Sequence, residues 1–95
     1  MVAYIIAEIE VTDPEAYKGY TAETPKVIAA HGGRFIVRGG TAEAVEGAPP
    51  AGRVVVIEFP DMATVRAFYD SADYRAILPI RQGASKGRIY FVEGV

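Results

Sequence analysis

Glu8 and Glu58 are the side chains in this sequence best suited to moving protons. Both lie in β-branched stretches, VAYIIAEIEV and RVVVIEF, and strand alternation turns both to the same side. Two carboxylates brought close together push one pKa upward, as general acid or base work requires. Arg38 and Arg88 share that side, so an interface ion-pair network that neutralises both acids is the competing and simpler reading. His31 is the only histidine. Alone it cannot build a three-ligand metal site, and as a base it needs a partner within hydrogen-bond reach. At a helix C-terminus it would instead serve the last carbonyls and the helix dipole. Glu8, Glu58 and His31 are thus the catalytic candidates, and no metal or other cofactor is expected.

The binding candidates are cationic and aromatic. Arg38, Arg81 and Arg88 offer bidentate donors for a carboxylate or phosphate. Arg81 follows the apolar pair Ile77-Leu78 and leans toward one end of the sheet. Arg34 and Arg53 are expected at solvated or rim positions. The tyrosines at 17, 20, 69, 74 and 90 read either as core with a hydroxyl reaching a partner, or as a pocket lined by Tyr20, Phe68 and Tyr90. The glycine pairs Gly32-Gly33 and Gly39-Gly40 lack the spacing of a phosphate loop, and read as a turn and a bulge.

These side chains need elements to hold them. Val2 to Val11 reads as a strand. Asp13-Pro14 is an N-cap followed by a first-turn proline, and opens a helix that Gly32 ends. Pro25 is expected to kink that helix or restart it behind Thr24. Arg34 to Arg38 and Arg53 to Phe59 are strands joined by a loop over Thr41 to Gly52, rich in Gly and Pro. Pro60-Asp61 starts a second helical region, interrupted at Ser71 to Asp73 and disturbed by Pro79. Gly83 and Gly87 bracket a turn before the last strand, Arg88 to Glu93. The order is β-α-β-β-α-β: an α+β, ferredoxin-like fold over residues 1–95 as one domain, a four-stranded antiparallel sheet with its helices on one face.

Alternation splits each strand into two sets. Ala3, Ile5, Ala7, Ile9, Phe35, Val37, Val55, Ile57, Phe59, Ile89 and Phe91 are all apolar and belong under the helices. The other set holds the charged candidates, but also Tyr4, Ile6, Ile36, Val54, Val56, Tyr90 and Val92. Left bare, those would form an apolar patch that monomers seldom expose. A second copy across a two-fold axis is the simplest cover, giving a homodimeric α/β barrel through the helix-free sheet face.

Composition narrows the rest. Ten cationic and twelve anionic side chains give a net charge of −2, with no electrostatic reason to expect nucleic acid or an anionic membrane. The absence of cysteine excludes disulfides and thiolate chemistry. The apolar N-terminus carries Glu8 and Glu10 and no basic leader, so neither a signal peptide nor a spanning helix is expected, and a cytoplasmic location is.

DPEAYKGY, HGGRFIVRGG, GRVVVIEFP, FYDSADY and the ending LPIRQG…GRIYFVEG together resemble a bacterial family, domain of unknown function 1330, of the dimeric α/β-barrel, ferredoxin-like group. The resemblance runs from Tyr4 to Gly94. Members commonly carry tryptophan where Phe68 stands and tend to keep arginine where Arg81 stands. The resemblance implies the fold and the dimer. It implies no activity, since the wider group mixes cofactor-free monooxygenases, small isomerases and binding proteins. Binding of a small apolar or aromatic acidic ligand, in a pocket by the dimer-facing sheet, ranks first because no catalytic constellation stands out. A cofactor-independent monooxygenase- or isomerase-like enzyme using Glu8, Glu58 or His31 as base ranks second. RNA binding on the open sheet ranks last, for the third strand offers valines where stacking aromatics are needed.

Overall fold

A computed structural model describes residues 1–95. Its elements are β1 (Ala3–Val11), α1 (Pro14–Ala30), β2 (Arg34–Arg38), β3 (Arg53–Phe59), α2 (Met62–Asp70), α3 (Ala72–Ala84) and β4 (Ser85–Glu93). The sheet is antiparallel in the order β2-β3-β1-β4. The expected ferredoxin-like α+β arrangement is present, with the second helical region divided in two.

Local chemistry explains each helix boundary. Asp13 Oδ1 accepts from the Ala16 amide at 3.2 Å and Pro14 opens α1. At the other end Gly32 has φ 81°, and the Gly32 and Gly33 amides donate to Ala29 and Ile28 carbonyls. That pair of bonds is a Schellman close, which needs a left-handed residue at Gly32. Asp61 caps α2 through the Thr64 amide and hydroxyl, both at 2.7 Å. Ser71 is extended (φ −66°, ψ 151°) and serves two helices at once. Its hydroxyl donates to the Phe68 carbonyl that ends α2 and accepts from the Tyr74 amide that begins α3.

Three local expectations differ from the structure. α1 continues through Pro25 without restarting behind Thr24, because its buried stripe Tyr17, Tyr20, Thr24 and Ile28 spans the proline and holds both halves to the core. α3 likewise continues through Pro79 to Ala84, and β4 begins at Ser85, so Gly87 lies inside a strand opposite Ile9 rather than in a turn. The irregularity of β2 falls at Ile36 and not at Gly39-Gly40. Phe35 pairs with Ile57, but Val37 pairs with Val56 and Arg38 with Val55. The extra residue reverses the alternation beyond it. Val37, expected under the helices, is exposed, and Arg38 turns to the helix side.

The core lies between sheet and helices. Ala3, Ile5, Ala7 and Ile9 of β1, which has a strand on either side, are buried beneath α1 to α3. Phe59, Phe68 and Tyr74 stack in series, with ring centres 5.2 and 4.6 Å apart. Phe59→Ala removes the first ring from a fully buried site, and is expected to cost about 3–5 kcal/mol in urea unfolding. A loss under about 1 kcal/mol would contradict this placement of the core.

Candidate functional site

The aromatic series fills one part of the space between sheet and helices and leaves a cavity beside it. The floor is apolar: Ile5, Ala7 and Ile9 of β1, Val55 and Ile57 of β3, and Ile89 of β4. Above it stand Tyr17, Tyr20 and Thr24 of α1, Phe68 and Tyr69 of α2, and Tyr74 and Arg81 of α3. Arg38, Phe35 and Arg53 form the side nearest the sheet edge. The cavity offers about 60 Å³ to water centres, several times what one water needs.

Each polar wall residue is set by its element. Arg53 opens β3 with the parity of Val55 and Ile57, so alternation aims it under the helices. Arg38 faces the same way because of the bulge, and its guanidinium lies 4.3 Å above the Phe35 ring. Arg81 is one helical turn beyond Ile77 and Leu78, two of the buried residues of α3. The Nε atoms of Arg53 and Arg81 are both shut off from solvent and have no hydrogen-bond partner. Burial opposes the charge of Arg81, but the neighbouring Tyr74 and Tyr20 outweigh it and the group is held a cation.

The tyrosines supply hydroxyl donors. Tyr20 Oη and Tyr74 Oη are 2.7 Å apart, so one donates to the other and a single hydroxyl hydrogen remains free. Burial pushes the Tyr20 pKa far up, and the adjacent Tyr74 adds to it. Burial also raises Tyr17, against the partial opposition of Arg53 and Arg81. Both therefore stay protonated at neutral pH. The cavity wall contains guanidiniums, hydroxyls and apolar groups, and no carboxylate or histidine.

Of the residues expected to share one site, Arg38, Arg81, Tyr20 and Phe68 meet at this cavity, while Arg88 and Tyr90 lie across the sheet on its helix-free face. The expected pocket by the dimer-facing sheet thus divides in two. The strand register separates the two acids as well. Glu8 pairs across β1 and β3 with Val54, and Glu58 with Tyr4. They are four residue steps apart along the strands, roughly 13 Å, so no carboxylate pair forms. Glu8 instead accepts from Arg88 at 2.8 and 3.0 Å and from the Ala51 amide at 3.3 Å. The Ala51 bond, then Arg88, hold its pKa below the ordinary value. Glu58 accepts from Arg34 at 3.1 and 3.2 Å. The neutralising reading stands for Glu8 with its expected partner. For Glu58 the partner is Arg34, expected to be solvated, which stands directly opposite it across β2 and β3, while the bulge takes Arg38 to the other side of the sheet.

His31 caps α1 and lies outside the cavity. Its Nε2 is 3.1 Å from Asp73 Oδ1 at the start of α3, and its ring packs edge-on to Phe68 at 5.7 Å. Asp73 and Arg53 are the polar residues that sequence reasoning missed. The parity of Arg53 with Val55 and Ile57 was a usable signal. The 42-residue separation of His31 and Asp73 carried none.

Asp73 gives this clamp a pH dependence. The Ser71 hydroxyl first, and His31 next, hold its carboxyl below the ordinary carboxylate range. A carboxyl whose pKa falls on folding adds stability that is complete above the unfolded value and disappears as pH drops through the folded one. Asp73→Asn is expected to melt below the parent at about pH 6, with the gap closing below about pH 4. A gap that stays constant across that range in thermal melts would refute the clamp.

Comparison with known proteins agrees with the architecture. The protein of unknown function RPA0582 from Rhodopseudomonas palustris superposes with a TM-score of 0.79 at 19% identity, over 99% of this chain and 82% of that one. SnoaB, a cofactor-independent oxygenase from Streptomyces nogalater, superposes with a TM-score of 0.63 at 13% identity, over 99% and 92% of the two chains. A conserved protein from Methanosarcina mazei Go1 gives a TM-score of 0.59 at 13% identity, over 100% and 94%. At such identities the likeness concerns the fold. No curated protein matches the chain. The family model described as domain of unknown function DUF1330 matches residues 2–95, and on that match the chain belongs to this family.

Proposed function

We propose that this protein binds a small, largely apolar or aromatic ligand bearing an acidic group, in the cavity between sheet and helices, and that it does so as a homodimer. The observation that carries the reading is the pair of shielded, unpartnered Nε–H groups of Arg53 and Arg81 on a wall without any carboxylate. Buried donors without acceptors in the chain are costly, so these two favour an acceptor brought in from outside it. Apolar strand residues below and tyrosine rings around would hold the body of such a ligand, and few polar groups would orient it.

Binding takes precedence over catalysis because Glu8, Glu58 and His31 all stand outside the cavity, each with a charged partner. Wild-type protein is expected to melt higher in the presence of millimolar benzoate or related aromatic acids, by mass action on the folded state. Failure of every aromatic acid tested to raise the melting temperature would overturn the reading.

The dimer is supported by the helix-free face. Ile36, Val37, Tyr90 and Val92 leave 38–45% of their surfaces exposed, and Tyr4, Ile6, Val54 and Val56 lie between them in register. The molecule measures 35 × 32 × 16 Å, so this broad face has room for the ~800 Å² per partner of a standard interface. The Glu8–Arg88 and Glu58–Arg34 pairs lie on this same side, where they would set register more than add stability. Equilibrium sedimentation at micromolar concentration should return twice the chain mass, and Val56→Lys should return the monomer. A wild-type monomer under those conditions would sink the dimer.

A further inference from the structure

We propose that the ligand of this cavity carries two negative charges on its apolar body, as an aromatic dicarboxylate or a phosphate monoester does. The inference rests on the binding reading above and comes from a separate observation, the way the chain distributes its cations.

Lys18, Lys26, Arg34, Arg75, Lys86 and Arg88 each have a carboxylate oxygen between 2.8 and 3.7 Å away. Arg38, Arg53 and Arg81 have no such partner, and all three border the same cavity. Outside it, only the exposed Arg66 is without one. Unpaired cations are therefore concentrated at a single place in a chain whose net charge is −2. Like charges that border one partly shielded space are best accommodated when an anion enters between them.

The positions of the three indicate how much charge is wanted. Arg53 and Arg81 both act on the Tyr17 hydroxyl, so their fields overlap inside the cavity, although one is on β3 and the other on α3. Gly39 makes room for Arg53: a Cβ there would lie 2.8 Å from the Arg53 Nη2. Arg38, over Phe35 and exposed, stands at the mouth. One carboxylate offsets one of the two inner guanidiniums and leaves the other a shielded, unpaired cation. A dianion offsets both, and Arg38 adds attraction along the entry path. Every polar hydrogen left free on the wall is a donor, and a phosphate or a pair of carboxylates brings only acceptors at neutral pH.

The test is a charge series on the wild-type protein by calorimetry at low ionic strength and about pH 7.5, with benzyl alcohol, benzoate, phthalate and phenyl phosphate as probes. Phthalate or phenyl phosphate, or both, should bind about tenfold or more tighter than benzoate. The stronger of the two tells dicarboxylate from phosphate. That advantage should shrink as salt is added and fall to the benzoate level in Arg53→Gln and Arg81→Gln. Gly39→Ala, which displaces the Arg53 head without removing charge, should weaken the dianions more than benzoate. Benzoate binding as tightly as both dianions would overturn the two-charge inference while leaving the binding reading intact. No binding by any of the four would remove both. The wild-type series decides the question even where a variant proves unstable.

Discussion

The run of aromatic rings from β3 to α1 is the interaction on which the rest of this structure depends. Phe59 meets Phe68, Phe68 meets Tyr74, and Tyr74 meets Tyr20 both edge-on, at 6.2 Å between ring centres, and through its hydroxyl. The series joins the sheet to all three helices, since its members come from β3, α2, α3 and α1. It fixes the height of the helices above the sheet at one place, and the smaller Ala7 and Val55 leave space beside it. The cavity is thus a consequence of where large rings end and short side chains begin. Its walls are held by a rigid, non-directional packing term that a ligand does not need to create.

Charge is sorted across the sheet. On the helix-free side Glu8 has Arg88, Glu58 has Arg34 and Glu10 has Lys86, and their mutual satisfaction leaves little appetite for a third group. On the helix side the guanidiniums of Arg38, Arg53 and Arg81 face tyrosines and aliphatic groups. Buried side-chain donors that the chain leaves unpaired, the Nε–H groups of Arg53 and Arg81, are therefore found on one side only. For Glu8 the Ala51 amide, then Arg88, hold the carboxylate in its charged form below the ordinary value, which lowers its basicity.

The single extra residue at Ile36 connects these two sides. Without it Arg38 would pair with Val54, on the helix-free side near Glu8, and Val37 would pair with Val55 and face the core. With it Arg38 comes to the cavity mouth and Val37 joins the exposed apolar face, while Arg34, which precedes the bulge, keeps its place opposite Glu58. One bulge on an edge strand thus adds a cation to the cavity and an aliphatic group to the surface proposed for the second copy. Bulges of this kind re-aim side chains near sites while leaving the remaining ladder unchanged.

Strand periodicity, the caps at Asp13 and Asp61 and the glycine close at Gly32 were legible from residue order alone, and with them the ferredoxin-like fold. Such features are local: each is decided by neighbours within a few positions along the chain. The core faces of β1, β3 and β4 followed from alternation for the same reason, and so did the apolar character of the helix-free side. Alternation does not say where it will be interrupted, so the placement of Val37 and Arg38 was decided by how β2 meets β3. Nor does it give register, which keeps Glu8 from Glu58 and seats each beside an arginine. The meeting of His31 with Asp73, and of Arg53 with Arg81 around one empty volume, depends on helix packing across long stretches of chain. The residue types were written in the sequence; which of them share a space was settled only when the sheet and helices closed on the aromatic core, because distance in a fold is set by packing and not by position along the chain.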